Sequence, residues 1–214
     1  EYVKPVVTLE KTKTGVYSYS GSLSIYDPTS RIYKTPTLEY RYKGSVYLRN
    51  SFNKSGIIET IGLMPNTIYE VTGYYYYHDE YQQKMKNTFF KAEIVTGDIS
   101  TLETLDLTIN GITAGVSDVK IDQIKLNNPT TDEVLKGLKS GSVLFDKANI
   151  GLSAGDMKKL IAGNQVDFKT DAILKSNTTY NGYIEFKDLA GNVMKIKNNK
   201  PNIYILLKSY FILI

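Results

Sequence analysis

Short runs of β-branched and aromatic residues recur along the whole chain, and Gly, Asn, Asp or Pro closes each run. Runs of this kind, with polar residues at every second position, predict β-strands that bury one face. In the first half the predicted strands lie near Val6–Leu9, Val16–Tyr26, Leu38–Tyr42, Val46–Phe52, Ile57–Leu63, Ile68–Tyr77 and Lys84–Val95. About seven short strands within ~100 residues are typical of a β-sandwich.

The second half repeats this style after a polar stretch, Thr96–Thr104, that lacks strand periodicity. We place a domain boundary there, because 214 residues are enough for two domains of ~100 each. The predicted domains are residues 1–97 and 103–200, followed by an apolar C-terminal segment at 201–214. Strands are predicted in the second domain at Leu105–Ile109, Val119–Leu126, Val143–Phe145, Val166–Phe168, Thr179–Lys187 and Val193–Lys197.

One helix is predicted, near residues 153–162, in the stretch LSAGDMKKLIAGN. Ser153 is the expected N-cap, and Asp156 completes an acidic variant of the capping box. Gly163 is the expected stop. The apolar face consists of Met157, Leu160 and Ile161. Because the helix is short, we expect it to be stabilised by packing this face against a sheet.

The charge pattern does not favour nucleic acid. Lys and Arg total 26 against 22 for Asp and Glu, and only three of the cations are arginine, at Arg31, Arg41 and Arg49. No run of five basic residues occurs, so no nucleic-acid partner is expected. The absence of cysteine excludes disulfides, cysteine-ligated zinc and a thiol nucleophile.

No catalytic constellation stands out, so we expect neither an enzyme nor a cofactor nor a metal. His78 is the one histidine, in YHDEY at a predicted turn, and the chain has no G-x-S-x-G elbow. A hydrolase that uses His78 with an acidic neighbour remains the minority alternative. The other carboxylates are scattered, including Asp79, Glu80, Asp132, Glu133 and Glu185. Asp188 and Asn192 flank a tight turn, where bonding to their own backbone is favoured over calcium.

The two halves share the pattern L-x-[PS]-N-T-x-Y, at Leu63–Tyr69 and again at Leu174–Tyr180. In both copies a strand is predicted to begin at the end of the pattern. The leucine is expected to fill the core, and the Pro or Ser with Asn-Thr turns the chain between sheets. The tyrosine then packs inward and bonds the backbone through its hydroxyl, an arrangement called a tyrosine corner.

These corners resemble those of fibronectin type III and related bacterial immunoglobulin-like domains. The stretch Asn181–Ile196 is similar to the F–G hairpin of bacterial repeats of that class. The resemblance implies an all-β fold of two tandem immunoglobulin-like sandwiches, the second with one short helix. Fibronectin type III modules usually carry a core tryptophan on strand B, which this chain lacks. Tyr19, Leu23 or Ile25 is expected to fill that space.

Tandem modules rich in Lys, Asn, Ile and Tyr look like those of tail and baseplate proteins in phages and prophages of Gram-positive bacteria. This likeness implies a non-catalytic spacing or presentation module, in a virion or on a bacterial surface. Its partners would be other structural proteins or other domains of the same chain. The alternative is a carbohydrate- or cell-wall-binding accessory module, with cell-wall polysaccharide as ligand.

The run GYYYYHDEY holds the candidate contact surface. If Tyr69 points inward, strand alternation sends Tyr75 and Tyr77 inward and the two intervening tyrosines outward. If Leu38 also points inward, the neighbouring strand places its cations on the same outer face. The candidate contact residues are therefore Tyr74, Tyr76, Arg41 and Lys43. Cross-strand aromatic pairing that only stabilises the sheet is the competing interpretation.

The N-terminal sequence EYVKPVV has neither an initiator methionine nor a signal peptide. We therefore expect the chain to be a fragment, a mature form or an excised part of a longer protein. The closing stretch NIYILLKSYFILI is interrupted by Lys208 and is shorter than the ~20 residues that span a bilayer. A last strand or a flanking segment is favoured over a truncated anchor, so a membrane is not an expected partner.

Overall fold

The computed structural model describes residues 1–114, 118–128, 131–145, 148–169, 178–196 and 202–205. The chain forms two compact units, Glu1–Ile99 and Ser100–Ile214.

The first unit is a sandwich of two antiparallel sheets. Its strands are β1 (Val6–Thr14), β2 (Ser18–Tyr26), β3 (Ile32–Tyr42), β4 (Ser45–Ser51), β5 (Gly56–Ile61), β6 (Ile68–His78) and β7 (Lys84–Val95). One sheet has the order β1-β2-β5 and the other β4-β3-β6-β7. A 3-10 turn follows at Ile99–Thr101.

The core of this unit lies between the two sheets and is rich in tyrosine. Tyr19 and Leu23 are buried in the main apolar cluster, with Ile25 packed against it, as expected for a module without tryptophan. The Tyr19 ring meets the Tyr40 ring edge-on, with centroids 6.3 Å apart. The Tyr40 hydroxyl donates to Thr60 Oγ1 at 2.8 Å, which satisfies its polar group inside the core.

The predicted tyrosine corner is present at Tyr69. This side chain is fully buried, as is Leu63. The Met64 N–H donates to the Tyr69 hydroxyl at 2.9 Å, so the ring fills the core while the hydroxyl fixes the preceding turn. The second copy of the motif lies at Leu174–Tyr180, largely outside the described residues, although the backbone at Tyr180 belongs to a strand.

The second unit has the same strand order as the first. Its strands are β8 (Leu107–Ala114), β9 (Asp118–Leu126), β10 (Leu138–Phe145), β11 (Ala148–Ser153), β12 (Val166–Lys169), β13 (Thr178–Asp188) and β14 (Asn202–Ile205). The sheets run β12-β9-β8 and β11-β10-β13-β14. Taken in chain order, the strands of each sheet correspond one to one with those of the first unit.

Within the described part of the second unit, two helices are inserted into this repeated plan, α1 (Thr131–Gly137) and α2 (Ala154–Ile161). The capping box of α2 is as predicted: Ser153 Oγ accepts from Asp156 N at 3.1 Å, and Ser153 N donates to Asp156 Oδ2 at 3.2 Å. Met157 and Leu160 are buried. The helix lies against strands of both sheets, so packing stabilises it as its length requires.

The structure differs from the sequence prediction at two places in this unit. The prediction contained one helix, but the structure also has α1, whose seven residues are too few for a helical period to stand out. The predicted strand Val193–Lys197 is wrong over its described part. There the backbone forms hydrogen bonds to two different segments and does not pair along one strand. Met194 N donates to Phe186 O in β13, and Lys195 O accepts from Leu105 N, before β8. Strand β14, within the apolar C-terminal segment, completes the sheet instead.

The same hydrogen-bonded turn follows β6 in the first unit and β13 in the second. Asp79 Oδ1 accepts from the N–H groups two and four residues later, at 2.9 and 2.8 Å. Asp188 Oδ1 does the same, at 3.0 and 2.8 Å. In both turns the third residue after the aspartate has a positive φ, 62° at Gln82 and 85° at Gly191. The interpretation of Asp188 as a turn residue is confirmed.

Replacing Gln82 with glycine is expected to stabilise the first unit by about 0.5 kcal/mol. A left-handed backbone costs a side-chain-bearing residue more than glycine loses in entropy. The converse change, Gly191→Ala, is expected to cost the second unit about 1 kcal/mol. Urea unfolding of both variants measures these changes; a Gln82→Gly variant less stable than the parent would contradict the expectation.

Candidate binding face on the first unit

The four-tyrosine run belongs to β6, and its side chains alternate between the core and the outer face of the four-stranded sheet. Tyr75 and Tyr77 point inward, with 0% and 6% of their surface exposed. Tyr74 and Tyr76 are half-buried on the outer face. The Tyr75 hydroxyl donates to Pro5 O at 2.7 Å. The predicted alternation of these side chains between the inner and outer faces is therefore confirmed.

The predicted cationic neighbours of these tyrosines lie elsewhere on the sheet. Arg41 stands opposite Glu70, four residues along β6 from Tyr74, a distance of about 13 Å. Its Nε donates to Glu39 Oε1 at 2.8 Å. Lys43 lies over the Tyr42 ring, 5.1 Å from the centroid, in the turn after β3. The predicted pairing of Arg41 and Lys43 with the outward tyrosines is wrong, because alternation gave the face but not the position along it.

Three lysines lie over the outward aromatic rings instead. Lys86 Nζ is 4.4 Å from the Tyr74 centroid, and Lys34 Nζ is 5.0 Å from that of Tyr76. Lys84 Nζ is 5.9 Å from the centroid of Tyr33 on β3, whose ring lies 6.1 Å from that of Tyr76. We call this surface the tyrosine–lysine face; it consists of Tyr33, Tyr74, Tyr76, Lys34, Lys84 and Lys86.

His78 borders this face. The sequence places it in a loop, but it is the last residue of β6 and is half-buried. Its ring centroid lies 4.5 Å from that of Tyr33. The backbone N–H of His78 donates to the backbone carbonyl of Arg31 at 3.0 Å. His78 thus extends the aromatic row at the end of the strand.

Sequence analysis missed Tyr33 and Lys34 because β3 begins at Ile32, six residues before the predicted start. Pro36 reads as a strand breaker, and irregularities in pairing on both sides of Lys34 disturb the alternation. The Ile-Tyr pair at positions 32 and 33 was the available signal. Lys84 and Lys86 lie within the predicted last strand of the first unit. A bulge in the pairing of β7 with β6, opposite Gly73 and Tyr74, shifts which β6 residues stand opposite these two lysines.

An open groove of about 500 Å³ runs beside Tyr74 and Tyr76. Besides the aromatic rings and two cations, its lining residues carry hydroxyl groups: Thr35, Thr37 and Ser51. Thr37 and Ser51 hydroxyls lie 2.8 Å apart and hydrogen bond to each other. The groove is therefore hydroxylated and basic, with no carboxylate or aliphatic residue in its lining.

Glu39 lies next to the groove and binds Arg49, one of the groove's lining residues. It is only 8% exposed, and its carboxylate accepts from Arg41 Nε at 2.8 Å and Arg49 Nε at 2.7 Å. Burial alone would raise the pKa of Glu39, but the hydrogen bonds and charges of the two arginines outweigh it and hold the pKa below its usual value. Arg49 is thus already paired where it lines the groove.

The lowered pKa of Glu39 predicts a pH-dependent contribution to stability. A depressed carboxyl pKa stabilises the folded state above the unfolded value, and this contribution is lost as pH falls through the folded value. Glu39→Gln is expected to cost about 1 kcal/mol at pH 7, a modest figure because both arginines are substantially exposed. The difference from the parent should shrink towards pH 3 in urea unfolding; a difference that grows on acidification would contradict the assignment.

The fold defines the class of protein. In each unit three strands face four, in an order that matches between the units, and a tyrosine corner opens the sixth strand of the first. Over the residues that the structure describes, the chain has an all-β fold of two tandem immunoglobulin-like, fibronectin type III-like sandwiches, the second with two short helices.

Comparisons with known proteins add little to that class. No family model matches the sequence, and neither does any curated protein. Among solved structures the chain is similar to the central fibronectin-III array of RIM-binding protein, at 12% identity and a TM-score of 0.26. The match covers 85% of this chain and 56% of that one, so this chain spans about half of its length. The class of fold stated above is based on the strand order and the tyrosine corner.

Among the described residues, no helix has the length and apolar character needed to cross a membrane. No group of three or more acidic, histidine or cysteine side chains within the part of the chain that the structure describes is arranged to hold a metal ion.

Proposed function

We propose that this chain is a non-catalytic structural and presentation module of a larger protein, one of a phage tail or a bacterial surface. The supporting observation is the repetition of one sandwich plan in two compact units. Repeated modules of this kind place other domains at a distance and contact neighbouring structural proteins. The expected location is the virion or the bacterial cell surface.

Two features support a non-catalytic role. Fibronectin type III-like sandwiches usually carry no catalytic site. The residue on which the hydrolase alternative depends, His78, packs against Tyr33 in the aromatic row, with the two rings tilted by 31°. This contact within the sheet supports a packing role for the His78 ring.

Immunoelectron microscopy tests the location. Antibodies against the folded chain are applied to tail particles and to whole cells of the source organism. Label at the tail supports the virion placement, and label on intact cells supports the surface placement. Label confined to the cell interior would reject both.

The tyrosine–lysine face favours a second candidate, a carbohydrate- or cell-wall-binding accessory module of a tail or secreted enzyme. Exposed aromatic rings stack on sugars, and aromatics are enriched at interfaces. Alanine at Tyr74 and Tyr76 tests this candidate by retention on purified cell walls. Unchanged retention with lower thermal stability would assign the two rings to the sheet alone.

A further inference from the structure

We propose that the tyrosine–lysine face binds an anionic polysaccharide, one that carries carboxylate or phosphodiester groups along its chain. This inference rests on the second candidate function and narrows its ligand from glycans in general to acidic ones. It is carried by three properties of the face: its unpaired charge, its hydroxylated lining and its regular spacing.

The charge of the face is positive and is not neutralised within the sheet. Lys34, Lys84 and Lys86 are exposed, and none of them has a carboxylate within 4.0 Å among the residues that the structure describes. Glu39, the buried acid of the outer face, is held by the two arginines. A ligand with negative groups could therefore pair with three lysines whose ammonium groups contact only aromatic rings among the described residues.

The groove beside the face has the chemistry of a sugar site rather than a peptide site. Its lining combines tyrosine rings with the hydroxyls of Thr35, Thr37 and Ser51, and contains no aliphatic side chain. Peptide recognition commonly uses a free strand edge, an apolar groove or a cluster of arginines, and the arginine of this lining, Arg49, is already paired with Glu39. A polyhydroxylated chain can instead use hydroxyl partners and ring faces throughout. The lining therefore favours a glycan over a protein segment.

Register places the cations and hydroxyls in two rows across the sheet. Lys34 and Lys86 stand on either side of Tyr76. Thr37 and Thr88 stand on either side of Tyr74 in the next row. Neighbouring strands are about 4.8 Å apart, so the two lysines of one row lie about 10 Å apart at the backbone. A polymer that crosses the strands would meet a cation, a ring and a second cation in succession.

Binding of four probes to the immobilised full chain tests the proposal: polygalacturonate, poly(glycerol phosphate), neutral dextran and single-stranded DNA. We expect one or both of the anionic polymers, polygalacturonate and poly(glycerol phosphate), to bind at least about tenfold more tightly than dextran. The affinity should weaken at least about tenfold between about 50 and 500 mM NaCl, because salt screens exposed charges. The carboxylate and phosphodiester probes distinguish the two sources of charge.

The double variant Lys34→Gln with Lys86→Gln is expected to lose at least about tenfold in affinity for the binding probe. The control Lys13→Gln with Lys54→Gln removes the same charge from exposed positions away from the face and should bind within about twofold of the parent. Circular dichroism should show that both double variants are folded. Equal effects of the two pairs, or equally tight binding of DNA, would overturn the assignment.

The test separates failure of this inference from failure of the candidate function beneath it. Dextran binding as tight as that of the anionic probes, with no loss in the face variant, would reject the charge-based inference and leave a neutral glycan module standing. Absence of binding by polygalacturonate, poly(glycerol phosphate) and dextran would reject both.

Discussion

Replacing Tyr69 with alanine is expected to lower the free energy of unfolding of the first unit by about 4 kcal/mol, in the range for deleting a buried aromatic side chain. The ring is fully buried, and its centroid lies 5.3 to 6.4 Å from those of Tyr47, Tyr42 and Tyr40. No neighbouring side chain can fill that volume without leaving its own site. The unit should therefore lose most of its stability while the second unit keeps its own.

Tyr69→Phe separates packing from hydrogen bonding at the same position. It keeps the ring but leaves Met64 N–H without its present acceptor, so we expect a cost of about 2 kcal/mol. The control is Tyr81→Ala, at a tyrosine that is 74% exposed, and should change stability by less than about 0.5 kcal/mol. Urea unfolding with hydrogen exchange resolved by peptide measures each unit. A phenylalanine variant as stable as the parent would show that the corner bond adds nothing.

Asp188→Ala is expected to destabilise the second unit by about 3 kcal/mol. The aspartate is fully buried, and its carboxylate accepts from Ala190 N, Asn192 N and Asn192 Nδ2. Removal leaves partly buried donors without an acceptor, which costs more than the bonds themselves contribute. Asp188→Asn keeps one oxygen in place and should cost less than half as much.

The equivalent change in the first unit, Asp79→Ala, provides a matched comparison. Asp79 makes the same two backbone bonds but is half-buried, so water can replace the lost acceptor. We expect a cost of about 1 kcal/mol, measured by the same urea unfolding. Equal costs in the two units would mean that burial of the aspartate does not determine how much this turn contributes to the free energy of unfolding.

Strand alternation and the corner motif predicted the sandwich and the direction of each tyrosine in β6. A single inward residue, Tyr69, fixes a period of two over the rest of the strand, and no bulge interrupts that run within β6 itself. The helix cap was equally predictable, because Ser153 and Asp156 satisfy one another over three residues of sequence. Both are local rules whose partners lie close together in the chain.

The composition of the tyrosine–lysine face was not predictable in the same way. It depends on which residues of β3 and β7 stand opposite Tyr74 and Tyr76, and that pairing is shifted by irregularities near Lys34 and after Gly73. A shift of one residue exchanges one set of neighbours for another. Arg41 and Lys43 were on the correct strand and its turn but at the wrong distance along the sheet.

The turn after β6 shows which residues beside the tyrosine–lysine face can change in sequence while the backbone stays the same. One carboxylate, that of Asp79, organises the backbone of the loop through its bonds to Tyr81 N and Gln83 N, and the side chains between contribute nothing to those bonds. The second unit closes the same turn with a different sequence, Leu-Ala-Gly-Asn, after its aspartate. Substitutions at Glu80 and Tyr81 are therefore compatible with one backbone path, and the loop beside His78 can diversify in sequence without changing the scaffold that holds it.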